Sequence, residues 1–195
     1  MANLKKYTRV QIGHILKHCS RSKDEQGNYI KFGNENINTE ITNLNYNLAS
    51  RHDGLSDYDF IKNRCKELKA LNRKDVNIAC SWVVTIPHEY YKGAQFADFD
   101  NFFNPENENP YITSFFSKTY EFLKNRYGEK NIVSSYVHLD ETTPHMHFIF
   151  TPAVWDKKKG REKISAKELI DKKELIAFHP ALNAYLNKTL KKELK

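Results

Sequence analysis

Two apolar segments, Ile132 to Leu139 and His145 to Val154, constrain this chain more than anything else in it. They are separated by Asp-Glu-Thr-Thr-Pro, which is turn chemistry, so they read as two adjacent antiparallel strands. Histidines mark both sides of the turn, in His138-Leu-Asp-Glu-Thr-Thr-Pro-His145-Met-His147. His145 and His147 are two apart on a strand and point to one face, while Met146 and Phe148 face a core on the other. A six-residue connection, Leu139 to Pro144, puts His138 opposite His145 on the same face. A five-residue connection turns it away unless a bulge intervenes.

Three imidazoles on one sheet face would hold a divalent ion and leave coordination positions open, the arrangement of a catalytic rather than a structural metal site. Neutral ligands also leave the ion's charge uncompensated, which suits a phosphodiester. Glu141 is the nearby carboxylate, and as general base, orienting partner of a histidine or fourth ligand it has three readings. Asp140 reads as a turn residue.

The rest of the chain alternates helix and strand signals. Ile12, Ile15 and Leu16 predict a short helix ending near Cys19, and Ser20 to Asn38 reads as loop. Ile41, Leu44, Tyr46 and Leu48 lie in a Thr/Asn-rich stretch whose last three apolar residues alternate, suggesting a half-exposed strand. Asp57 to Lys69 is helical, Ile78 to Ile86 is β-rich up to Pro87, and His88 to Asn109 is an aromatic loop containing Tyr90, Tyr91, Phe102 and Phe103. A helix starts at Asn109-Pro110 and stops at Gly128, with Ile112, Phe115, Phe116, Phe122 and Leu123 on its buried side. Asp156 to Lys163 is a basic loop, helix resumes from Ser165, and the Lys-rich tail from Lys188 is expected to fray. The order predicts one domain over residues 1–195 with an α+β fold, a central, mainly antiparallel sheet and flanking helices.

Composition removes several function classes. Cys19, Cys65 and Cys80 are odd in number and lack metal-clamp spacing, which argues against a disulfide framework or zinc ribbon. The N-terminus has no signal-peptide core and no apolar run is long enough for a bilayer, so a reducing cytoplasmic setting is expected. Lys and Arg exceed Asp and Glu by 31 to 24, a net charge of +7, and with 13% aromatics this tilts the chain toward nucleic acid. His14 and His18 stand at i, i+4, but Ile15 occupies the position where a zincin needs Glu, so a metalloprotease is unsupported.

The chain resembles the MobV (Mob/Pre) family of plasmid mobilisation proteins, DNA relaxases of the HUH class. The resemblance is carried by Lys17-His18 with Arg21, Leu44-Asn45-Tyr46 with Leu48, Arg73-Lys74-Asp75 with Cys80 and Trp82, and Tyr127-Gly128-Glu129 with Asn131-Ile132. The Val137 to His147 motif, Lys163-Ile-Ser-Ala-Lys167 and Asp171 to Leu175 complete it. It implies His138, His145 and His147 as ligands of Mn2+ or Mg2+, His18 as the nucleophile, and Glu141 as the glutamate that orients or activates it. It implies Arg21 and Arg73 as basic groups that hold DNA at the active site. Cys19-Ser20 and Asn43 depart from the pattern, and the aromatic loop is longer than usual.

The implied reaction nicks one strand at a plasmid or mobile-element transfer origin, leaves a 5′-phosphoryl-histidine adduct, and can reseal it. Single-stranded or supercoiled plasmid DNA, and a conjugation coupling protein, are the partners implied. Lys157, Lys158, Lys159 and Arg161 follow the His145 strand and are expected to grip phosphates. Because free imidazole titrates near pH 6.5, activity is expected to fall in acid. Tyr46 is the first tyrosine to weigh as a substitute nucleophile. The rivals are a rolling-circle replication initiator or transposase, and a DNA-binding regulator with a structural metal.

Overall fold

A computed structural model describes residues 2–30, 33, 36–49, 52–87 and 110–193; the expected loop from His88 to Asn109 lies outside the described residues. Strand β1 (Ala2–Thr8) runs directly into helix α1 (Arg9–Cys19), whose first turn is closed by Thr8 and Gln11. A 3-10 segment (Thr39–Leu44) leads to the short β2 (Tyr46–Asn47) and then α2 (Asp57–Glu67), capped by the Ser56 hydroxyl accepting from the Asp59 amide. Then come β3 (Asn77–Thr85), α3 (Pro110–Tyr127), β4 (Ile132–His138) and β5 (His145–Phe150). A hairpin of β6 (Ala153–Asp156) and β7 (Arg161–Ile164) follows, then α4 (Ala166–Leu169) and α5 (Lys172–Glu193).

Five strands form one antiparallel sheet in the order β1-β3-β5-β4-β2. The alternation of β5 supplies both faces. Met146, Phe148 and Phe150 join Trp82, Phe116, Leu123 and Phe178 in a core under α3 and α5. Ile149 points the other way and packs with Ile12, Leu16 and Cys19 of α1 and Ile61 of α2. Helices thus cover both faces, and the histidines of β5 lie on the α1 side.

Gly128 ends α3 with a φ of 83°, where a side chain would be strained. Two expectations need correction, and the first strand has no counterpart in the sequence reading. The sequence from Ala2 is a strand, hidden by the lysines of a half-exposed edge. Ile41 and Leu44 sit in a 3-10 turn, with only Tyr46–Asn47 pairing. The basic segment is half strand, Arg161–Ile164, folded back on β6 through Gly160 at φ 60°.

Candidate metal and nucleophile site

The register decides the site. His138 pairs with His145 and Tyr136 with His147, so the connection counts as six residues and all three histidines share one face. Their ring centroids lie 4.9 to 5.3 Å apart. His18, in the last turn of α1, closes over them with its ring 5.6 Å from His138 and 5.5 Å from His147. Glu141 stands among the four, with Oε1 3.6 Å from His138 Nδ1, 3.8 Å from His145 Nε2 and 3.9 Å from His18 Nε2. Two overlapping sets of ligand atoms are each compact within 4.8 Å, His18 with His138 and His147, and His138 with Glu141 and His145.

Backbone carbonyls fix which nitrogens are bare. His138 Nε2–H donates to the Cys19 carbonyl at 2.9 Å, leaving Nδ1 as a buried lone pair with no hydrogen-bond partner. His145 Nδ1–H donates to the Thr143 carbonyl at 2.9 Å, leaving Nε2 bare and 3.1 Å from His147 Nε2. Two ligands bonded to one ion at ~2.1 Å stand about 3.0–3.4 Å apart, so that separation suits a shared cation. Burial pushes His147 well below its ordinary pKa and lowers His145 as well, keeping both neutral. Orphaned buried lone pairs with carbonyl-anchored tautomers are what a metal's inner and outer shells require, and the donor set fits a divalent ion.

Below the histidines lies a second layer. The Arg21 guanidinium grips Asp140 with Nε–Oδ2 2.9 Å and Nη2–Oδ1 2.7 Å, reaches Glu141 Oε1 at 2.6 Å and donates to the His18 carbonyl at 3.1 Å. Asp140 also accepts from the Thr42 hydroxyl at 2.8 Å, and its side chain is fully buried. Arg21 itself adopts φ 49°, a left-handed geometry unfavourable for a side-chain-bearing residue, which folds the chain after α1 back onto the turn. Burial alone would raise the Glu141 carboxyl, but the Arg21 guanidinium hydrogen-bonded to it holds it well below the usual carboxylate range. A carboxylate held so low is a poor base at neutral pH, which favours an orienting or ligating role. Burial, then Arg21 and His138, move His18 down to about 4.

The expected residues divide sharply. His18, Glu141, His138, His145, His147 and Arg21 come together, Arg21 turned toward carboxylates rather than outward. Arg73 is exposed, pairs with Asp75, and precedes the Asn77 end of β3, roughly 26 Å by strand rise from Thr85, the partner of His145. Lys157, Lys158 and Lys159 cap the β6–β7 hairpin beyond the Phe150 end of β5, again away from His145, and Arg161 donates to the Leu68 carbonyl. Tyr46 pairs with Val137 and packs on the α3 and α5 core, away from the histidines. Tyr136 is the tyrosine registered beside His147.

The sequence reading missed Asp140 and Thr42, whose roles depend on Arg21 more than a hundred positions away. It also missed Lys5: with Lys6 and Tyr7 it lines an open cleft of about 590 Å³ beside His14 and His18. Across α1, Lys17 and Arg9 border a groove of about 1120 Å³ shared with Tyr58 and Tyr136.

The model of the family described as plasmid recombination enzyme (Mob_Pre) matches residues 1–194. The chain belongs to this family. A plasmid recombination enzyme of Streptococcus agalactiae is 30% identical over 190 residues, covering 96% of this chain and 33% of that protein. A type 1 plasmid recombination enzyme of Staphylococcus aureus is 34% identical over 174 residues, covering 89% and 38%. The chain therefore spans about a third of the length of the curated relatives it matches. Among solved structures, the MobM relaxase domain (MOBV; Mob_Pre), Mn-bound and in complex with plasmid pMV158 oriT DNA, is similar with a TM-score of 0.74 and 27% identity, over 96% of this chain and 85% of that one. The fold matches as well, a mostly antiparallel sheet with flanking helices. No helix among the described residues is long and apolar enough to cross a membrane.

Proposed function

We propose that this chain is the catalytic domain of a metal-dependent relaxase that nicks one DNA strand at a transfer origin by transesterification. The observation that carries the reading is the meeting of His18 from α1 with His138, His145, His147 and Glu141 at one point, in a family with an oriT-bound, Mn-bound relative. His138, His145 and His147 would hold the ion, which when bound supplies positive charge against the scissile phosphate's oxygens.

His18 is the nucleophile. Its depressed pKa keeps the imidazole neutral near pH 7, so a ring nitrogen has a lone pair for phosphorus. As the N–P bond forms, the P–O3′ bond breaks. The ring releases its N–H proton to solvent and the departing oxygen becomes a free 3′-hydroxyl. Attack by that hydroxyl reverses the step and reseals the strand. Glu141 orients the ring, Arg21 fixes Glu141 and the end of α1, and Lys5 and Lys17 face the clefts by which phosphates approach.

The test is an origin-derived single strand with Mn2+, resolved on denaturing gels. An acid-labile 5′ adduct is expected from the wild-type chain, none from His18→Ala, and a loss of at least a hundredfold in His145→Ala. An adduct that persists in His18→Ala moves the nucleophile to a tyrosine, with Tyr136 first. Binding without cleavage in Mn2+ favours a DNA-binding module with a structural metal.

A further inference from the structure

The β6–β7 hairpin carries features that the nicking site does not use. Trp155 is 61% exposed on β6, paired across the ribbon with Glu162. The hairpin's tip presents Lys157, Lys158 and Lys159, all exposed, and the described ion pairs include none of the three. Their backbone is held rather than loose, because the Asp156 carboxylate accepts from the amides of Lys158 and Lys159 at 3.1 and 3.3 Å. Lys130 pairs with Glu162 at 2.8 Å, which offsets the carboxylate that faces Trp155 across the ribbon. Arg161 pins the ribbon to the end of α2 through the Leu68 carbonyl at 3.0 Å.

An exposed indole on a ribbon whose tip carries three exposed lysines, fixed to the body, is a stacking platform with a phosphate clamp. We propose that this hairpin is a second DNA-binding site, taking an unpaired base on Trp155 and backbone phosphates on Lys157 to Lys159. The proposal rests on the DNA-nicking reading, which supplies the polyanion. The hairpin lies past the Phe150 end of β5, whereas His145 opens the other end. Strand rise alone separates those ends by roughly 17 Å, so a single strand touching both places runs on past the nick region by several nucleotides. The hairpin then sets the length of the footprint and leaves the chemistry untouched.

The chain has two tryptophans, and Trp82 is 2% exposed and out of reach of a base, so quenching on DNA binding reports Trp155 over a constant Trp82 background. With EDTA present, the chain is titrated with a short single strand confined to the nick region and with one extended well past it. The expected result is quenching by the longer strand alone. Trp155→Ala and the triple variant Lys157→Ala, Lys158→Ala, Lys159→Ala should each weaken binding of the longer strand roughly five- to a hundredfold, and leave the short strand's affinity unchanged. Adduct yield on the short strand in Mn2+ should equal wild type in both variants. An unquenched titration with the longer strand, or equal losses on both lengths, overturns the proposal. Failure of the nicking reading is separate, since it appears as a missing adduct in the wild-type chain whatever the fluorescence does.

Discussion

Asp140 illustrates how a residue's neighbours decide its role. As a turn carboxylate it would be exposed and dispensable, but its side chain is fully buried under Arg21 and Thr42. Asp140→Ala leaves a buried guanidinium short of its main partner, which costs about 3–5 kcal/mol. Thr42→Val removes one neutral donor and costs about 1 kcal/mol; urea unfolding of the two variants should rank them in that order. No local pattern exposes this pair, because Arg21 and Asp140 are far apart in sequence. The histidine triad was legible, since spacing and strand period act over ten residues. His18 makes a second residue-scale prediction. Its pKa is lowered from 6.5 to about 4, so between those values the unfolded chain binds the proton and the native chain does not. Metal-free stability is therefore full above pH 6.5 and falls as pH drops toward 4, by about 3 kcal/mol for this group at 1.36 kcal/mol per unit. His18→Ala should flatten that slope in EDTA; an unchanged slope would mean the ring is not shielded in the native protein. The same depression moves the expected acid limb of activity below the ordinary imidazole range.

At the scale of elements, the β4–β5 connection carries the site, because a strand's period of two leaves no tolerance. Deleting Thr143 shortens the connection by one residue, and either His138 or the pair His145 and His147 must turn to the α3 side. Mn2+ affinity should fall at least a hundredfold by calorimetry while the circular dichroism spectrum stays helical and sheet-like. An unaltered affinity would mean that a bulge absorbs the deletion and that register is not what gathers the ligands. The sequence revealed this hairpin, α2, β3 and α3 because each has a long apolar period and a clear stop at Pro87 or Gly128. It concealed β1 and β7, whose partly exposed edges carry Lys5, Lys6, Arg161 and Lys163 where a buried strand would carry Val or Ile. Charged ribbons like these look like loops until their partners are known, which is why Arg161–Ile164 reads as loop in the sequence and pairs as a strand in the fold.

Across the whole molecule, the sheet divides labour twice. One face is a plain apolar core under α3 and α5, and the other carries the chemistry beneath α1. Along the strands, His138 and His145 mark one end, while the hairpin and Arg73 mark the other. The net charge of +7 is therefore spread over separate surfaces. Each phosphate contact on a single strand contributes about 0.7 to the slope of log affinity against log salt. Removing Lys157, Lys158 and Lys159 together should flatten the slope by about 2 for a long strand and not at all for a strand confined to the nick region. Lys5→Ala should flatten it by about 0.7 on both lengths, because the cleft beside His18 is occupied in either complex. A lysine triple variant with the wild-type slope on the long strand would return all of the binding charge to the His18 end. The additive result requires one DNA to lie across both ends of the sheet at once, with nicking confined to one of them.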